Sequence, residues 1–317
     1  MKPTISILSL GLILAGGSLA SVSQAASLFI YPFEKSADAD AVSTDRLTKQ
    51  YLGATDLQAV HRTEDTVYLA SAKDDSVRFE HNLVTGDFRM DRGLNRYLGD
   101  FVPKLPSTEE AVSAVSGFLK QNGILPRRTE ELKLAHVGGL RAQGTIDGKS
   151  AGPMVEKLIT LSYSRMIDGV PVMGPGSKFV VSLGDRAEVV SLARHWREVN
   201  LDARKEVSAK EILTDDEVNA FAKRQILSQF GADALFEVRG KGMAYYDNNG
   251  SLLQPVVVLE TQVITSDDGV VPTDYLCIVP LLRQSPEPLN LTAIDPEAKQ
   301  LIQQAGIVTK PGRSISE

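Results

Sequence analysis

From Leu132 to Trp196 the chain reads as short apolar runs, each cut off by glycine, and that rhythm limits the fold more than any other feature. The runs are Leu132 to Val137, Leu140 to Ile146, Val155 to Met166, Val170 to Val172, Lys178 to Leu183 and Val189 to Trp196. Gly169, Gly174, Gly176 and Gly184-Asp185 fall between them and mark turns. A helix precedes the runs. Ser107 or Thr108 caps it, Glu109 and Glu110 face its unpaired N–H groups, Ala111, Val115, Phe118 and Leu119 form its apolar stripe, and Asn122-Gly123 stops it. The spacing therefore predicts a helix followed by an antiparallel sheet.

That order returns further on. Ser208 caps a helical start with Glu211 and Ile212, and Asp215 or Asp216 opens a longer helix through Val218, Phe221, Ala222, Ile226 and Phe230 to Gly231. Strands follow at Leu235 to Val238, Met243 to Tyr246, Val256 to Thr265 and Tyr275 to Leu282. Asn248-Asn249-Gly250 and Asp267-Asp268-Gly269 read as hairpin turns. The expectation is an α+β chain of two tandem modules, 107–203 and 204–284, each a helix packed on an antiparallel sheet. Residues 26–106 form an N-terminal region, polar from Ser36 to Lys49, with short strands at Thr66 to Ala70 and Val77 to Phe79 and a turn at Val84-Thr85-Gly86-Asp87. Pro103-Lys104-Leu105-Pro106 closes it. Residues 285–317 read as a peripheral tail with a short helix over Asp295 to Gln304.

Lys2, the apolar run Ile5 to Leu19 and the small residues of Ser23-Gln24-Ala25 have the pattern of a secretory signal, 1–25, with cleavage after Ala25 or Ala26. The run is shorter than the ~20 residues that span a bilayer. The expected location is secreted or periplasmic, with no transmembrane span once the signal is removed. A formal net charge of −6, with Arg and Lys scattered, gives no basic stripe for nucleic acid. Cys277, the sole cysteine, sits in a strand-like run and reads as a buried small hydrophobe. An exported chain without an internal disulfide is held by its core.

Reactive constellations are scarce. His61, His81, His136 and His195 are dispersed, with no His-Glu-x-x-His and too few Cys or His for a structural zinc site. Asp267-Asp268 with Asp274 suggests a hard cation on charge alone and reads better as a solvated turn. Gly174-Pro175-Gly176-Ser177-Lys178 loosely resembles a phosphate loop, but it lies between strands and Pro175 removes an N–H. No catalytic residue, metal ligand or cofactor site is expected. Tyr245 and Tyr246 point to opposite faces of one strand, and Tyr245 is placed on the exposed side. Trp196 reads as covering the seam between the modules. His195 and Arg197, opposite it, complete the candidate binding surface as a pair able to meet an anion.

Asp168, Gly169, Val170, Pro171, Val172 and Gly174, followed by the strands Phe179 to Leu183 and Ala187 to Val190, carry a family resemblance. They are similar to the Asn/Asp-Gly-Val-Pro-Val-x-Gly turn of the PepSY-like and FTP-like modules in propeptides of thermolysin-type metalloproteases. The resemblance covers about half the chain and implies cystatin-like modules that inhibit a protease or assist its folding; no protease domain follows. The expected function is an exported, non-enzymatic protein-binding module, with a secreted protease or another exported protein as partner. An envelope-associated spacer and an enzyme with an unrecognised site are the alternatives.

Overall fold

The computed structural model describes residues 27–53, 56–146, 150–264 and 272–289. The expected signal, the Asp267-Asp268-Gly269 turn and the helix over Asp295 to Gln304 lie outside them. In chain order the elements begin with β1 (Phe29–Pro32), α1 (Ala41–Leu52), β2 (Leu57–Arg62), β3 (Thr66–Ser71), β4 (Arg78–Asn82), β5 (Phe88–Asp91), α2 (Asn95–Leu98) and α3 (Thr108–Gln121). There follow β6 (Leu132–Ile146), β7 (Ser150–Ile167), β8 (Val170–Met173), β9 (Lys178–Leu183), β10 (Val189–His195) and β11 (Lys205–Glu206). The chain continues through α4 (Asp215–Phe230), β12 (Leu235–Asp247), β13 (Leu252–Ile264) and β14 (Thr273–Pro280).

The expectation of two tandem modules, each a helix on its own antiparallel sheet, is overturned. Among the described residues fourteen strands are joined in one mixed sheet accompanied by four α-helices. The physical reason is that strand edges which two separate modules would leave free are occupied by strands distant in sequence. β5, from the N-terminal region, pairs antiparallel with β10, Met90 facing Leu192. β8 pairs in parallel with β12, Val172 facing Tyr245 and Met173 facing Tyr246. β1 pairs with β13, Tyr31 facing Leu253.

Contacts divide the chain into two compact units. Among the described residues the first comprises 33–169 and 175–199, and its strands lie in the order β6-β7-β9-β10-β5-β4-β3-β2, all antiparallel. α3 begins as expected: the Ser107 hydroxyl accepts from the Glu110 N–H while the Glu110 carboxylate accepts from the Ser107 N–H, a reciprocal cap. Its buried residues Ala111, Val115 and Leu119 recur every fourth position and so share one stripe. α1 was not foreseen. Asp40 caps it by accepting from the Ser43 N–H at 2.7 Å, and Gly53 ends it in the left-handed region. Leu47 and Tyr51 of α1 join α3 in a core with Phe79, Phe88, Phe179, Val181, Leu183 and Trp196. Each such side chain contributes about 1.5–3 kcal/mol by leaving water.

Trp196 is 1% exposed and lies within this core, its ring 5.4 Å from that of Phe179. Arg165 lies 3.9 Å over the other side of the indole and is fully buried. Its guanidinium donates to Glu131 Oε2 at 2.9 Å, Ser177 Oγ at 3.2 Å and the Arg197 carbonyl at 2.8 Å.

The second unit comprises, among the described residues, 27–32, 170–174 and 200 onward, with strand order β11-β1-β13-β12-β8 and β14 on β13. α4 starts on the expected residue, with Thr214 and Glu217 as its reciprocal cap. The earlier start at Ser208 is a single 3-10 turn, Ala209–Glu211. Val218, Ala222 and Ile226 pack on Val257, Leu259 and Val263 of β13 and on Cys277 and Val279 of β14. Gly174 takes φ 105°, and a Cβ there would overlap the Asp247 carbonyl, so only glycine fits.

Arg165→Leu is expected to cost about 3 kcal/mol, because it takes from the buried Glu131 carboxylate one of its two arginine partners, Arg128 being the other, and removes the donor to the Arg197 carbonyl. Urea denaturation followed by tryptophan fluorescence measures it; a loss below about 1 kcal/mol contradicts the role given to Arg165.

Candidate functional site

The side chains expected to form a binding surface are not brought together. Tyr245 is 3% exposed and sits in the second unit, its ring edge-on to Tyr31 at 5.2 Å. His195 and Arg197 belong to the first unit, at the end of β10. Both face inward interactions: His195 Nδ1 lies 3.5 Å from Asp87 Oδ2, and the Arg197 guanidinium covers the ring of Phe33 at 3.9 Å. Asp87 Oδ1 also accepts from the Trp196 N–H at 3.1 Å. Burial alone would raise the Asp87 carboxyl, but His195, Arg197 and Arg194 together hold it below the usual range. This is a buried carboxylate flanked by His195 and the guanidinium groups of Arg194 and Arg197. Asp168 and Gly169 take φ 50° and 80°, and Val170, Pro171 and Val172 form β8.

Among the described residues no three or more His, Cys, Asp or Glu side chains gather as a metal site, and no helix is long and apolar enough to cross a membrane. Cys277 is fully buried, and burial pushes its thiol up to about 11, well away from the thiolate a nucleophile needs.

What the structure does present is a strand edge. Among the described residues β2, β6, β11 and β14 are each paired on one side, by β3, β7, β1 and β13. β11 is two residues long, and β2 carries a register shift at Ala59/His61. β6 is interrupted by register shifts at Leu134/His136, Leu140/Arg141 and Gln143/Thr145. Such bulges twist an edge away from further pairing. β14 has none: its register on β13 runs unbroken from Thr273 opposite Val263 to Pro280 opposite Val256. The N–H and C=O groups of its outer side form a straight row.

Beside β14 lies a groove of about 470 Å³, lined by Phe221, Arg224 and Gln225 of α4 with Pro280, Ser285 and Leu289. α4 holds this wall in place through Gln225, which donates to the Tyr275 hydroxyl at 3.0 Å and accepts from the Cys277 thiol at 3.3 Å. Phe221 is 38% exposed, one position off the stripe Val218, Ala222 and Ile226 that β13 and β14 cover. Arg224 lies over its ring at 4.3 Å. A straight hydrogen-bonding edge next to an apolar slot with a cation at its mouth is the geometry that accepts an extended chain. In the sequence Phe221 is one of the apolar residues of this helix; what separates it is its position outside the every-fourth-residue stripe.

No family model matches this chain. No curated protein matches it. Among solved structures, an uncharacterized protein from Eubacterium rectale is similar at TM-score 0.47 and 10% identity, over 83% of this chain and 86% of that one.

Asp87→Asn is expected to cost about 1–3 kcal/mol at pH 7. The native carboxyl titrates below the unfolded one, near 3.9, so its contribution is complete above that value and fades as the pH falls through the native value. The stability gap between wild type and variant therefore narrows below about pH 4. Denaturation curves from pH 7 to pH 3 check this; a gap that widens on acidification contradicts it.

Proposed function

We propose that this chain is an exported, non-enzymatic module that binds a partner protein by adding an extended segment of it to the outer edge of β14. The observation that supports the reading is the unbroken register of β14, next to the α4 groove. In strand addition the main-chain hydrogen bonds supply affinity and alternate side chains supply selectivity. The side chains of an added strand on the α4 face fall over Phe221 and Arg224. Apolar residues at alternate positions, with an acidic neighbour to meet Arg224, are the chemistry that fits. The resemblance of the Asp168 to Gly174 turn to protease propeptides favours an exported protease as the source of that segment, and the signal-like N-terminus favours a location where the two meet.

Selection of displayed peptides on the purified chain, followed by hydrogen exchange, tests the reading. Bound peptides are expected to protect the outward-facing amides between Thr273 and Val279. Phe221→Glu is expected to weaken them at least about tenfold, equal to about 1.4 kcal/mol, with the circular dichroism unchanged. Leu134→Lys, on the interrupted β6 edge, is expected to leave affinity as it was. Protection that maps elsewhere, or no peptide selected at all, refutes the assignment.

A further inference from the structure

The turn between β12 and β13 reads Asp247-Asn248-Asn249-Gly250-Ser251, and the segment 284–289 crosses it. Two amides fasten the segment. Asn248 Nδ2 donates to the Pro288 carbonyl at 2.7 Å, and Gln254 Nε2 donates to the Glu287 carbonyl at 2.8 Å. Because each NH₂ group is committed to a carbonyl, the other atom of each amide is an oxygen. Glu287 answers with Oε1, which accepts from the Ser251 N–H and hydroxyl, both at 2.6 Å.

Three acceptor oxygens are then left over. Asn248 Oδ1, Gln254 Oε1 and Glu287 Oε2 are each shielded from solvent and have no hydrogen-bond donor among the described residues. Gln254 is 1% exposed. A buried acceptor without a donor costs about 1–3 kcal/mol, and here three such oxygens belong to Glu287 itself and to two side chains tied to Glu287 and Pro288. Gly250 leaves room for the carboxylate: a Cβ there would overlap Glu287 Oε2. Asp247, 1% exposed, lies in the same turn.

We propose that Asn248 Oδ1, Gln254 Oε1 and Glu287 Oε2 bind a hard divalent cation, Ca²⁺ by preference. The donors are all oxygens, one is anionic, and amide oxygens are ordinary Ca²⁺ ligands. Ca²⁺ tolerates irregular geometry and completes its shell of 6–8 oxygens with water, whereas Mg²⁺ demands a near-ideal octahedron. A bridging water satisfies acceptors but leaves the charge of Glu287 unmatched; a cation does both. With so few charges in the site the affinity belongs at the weak end, about 10⁻⁴–10⁻³ M, the range of extracellular modules. The site is separate from the β14 edge and stands or falls independently of it.

The full chain, stripped with EDTA and titrated with CaCl₂, tests the proposal, with thermal unfolding and Tb³⁺ luminescence as readouts. Tyr246 lies opposite Gln254 in the β12–β13 register and serves as the sensitiser. One saturable site is expected, with a rise in Tm of about 2–5 °C at 10 mM Ca²⁺. Glu287→Gln is expected to reduce affinity at least tenfold. Gln254→Met, similar in length, is the second variant should the first fail to fold. Absence of a Ca²⁺-dependent shift overturns the proposal. So does an unchanged response in either folded variant, which puts the ion at another acidic turn. A crystal structure grown in Ca²⁺ with water on all three oxygens does the same.

Discussion

One guanidinium gathers the first unit. Arg165 reaches Glu131 before β6, Ser177 before β9 and the Arg197 carbonyl after β10, while its flat face lies on Trp196. Those segments are far apart in sequence, and each accepts from Arg165 one hydrogen bond that no hydrophobic contact replaces. A planar donor with a fixed fork suits this role where a lysine ammonium does not. The arrangement sets which ends of β7, β9 and β10 coincide, and with them the alternation that turns Phe179, Val181 and Leu183 inward. Asp87 repeats the logic nearby with the opposite sign: a buried carboxylate that ties β10 to the loop before β5 through the Trp196 N–H and His195.

Edges govern the rest. Separate modules would expose long strand edges, which pair with whatever extended chain is at hand. In this chain most such edges are filled from within or broken by bulges, as along β6. β14 is the departure, straight and paired on one side among the described residues, and α4 supplies a slot beside it. The residues that wall this slot, Ser285 and Leu289, flank Glu287.

Local pattern was legible where a structure is local. The reciprocal caps at Ser107/Glu110 and Thr214/Glu217 need only neighbouring residues, and the apolar runs up to β10 announce their strands before any partner is known. α1 escaped notice because Ser43, Thr44 and Thr48 share its buried face with Leu47 and Tyr51, so its apolar stripe is faint. Asp40 and Gly53, its cap and stop, were the available clues. Strand pairing between remote segments, β5 with β10 or β1 with β13, leaves no mark in either segment alone, and the separate-module picture failed on that point. The candidate sites were hidden for a related reason. Phe221 looks like one more core residue on a helical wheel, and nothing in Gln254 or Glu287 reveals that the two meet across a hairpin.

β1 gives the second unit an unusual order of assembly. Tyr31 is among the first residues described, yet its hydrogen-bonded neighbour is Leu253, and β11 on its other side holds Phe29 opposite Glu206. During synthesis this strand is made before the other described elements of the second unit and waits for β11 and β13 to follow. Loop closure over that length is slow relative to the local hairpins, so the last event of folding is the capture of the first strand. Until then β13 carries an open flank, and any chaperone or early-bound partner would find its opening there.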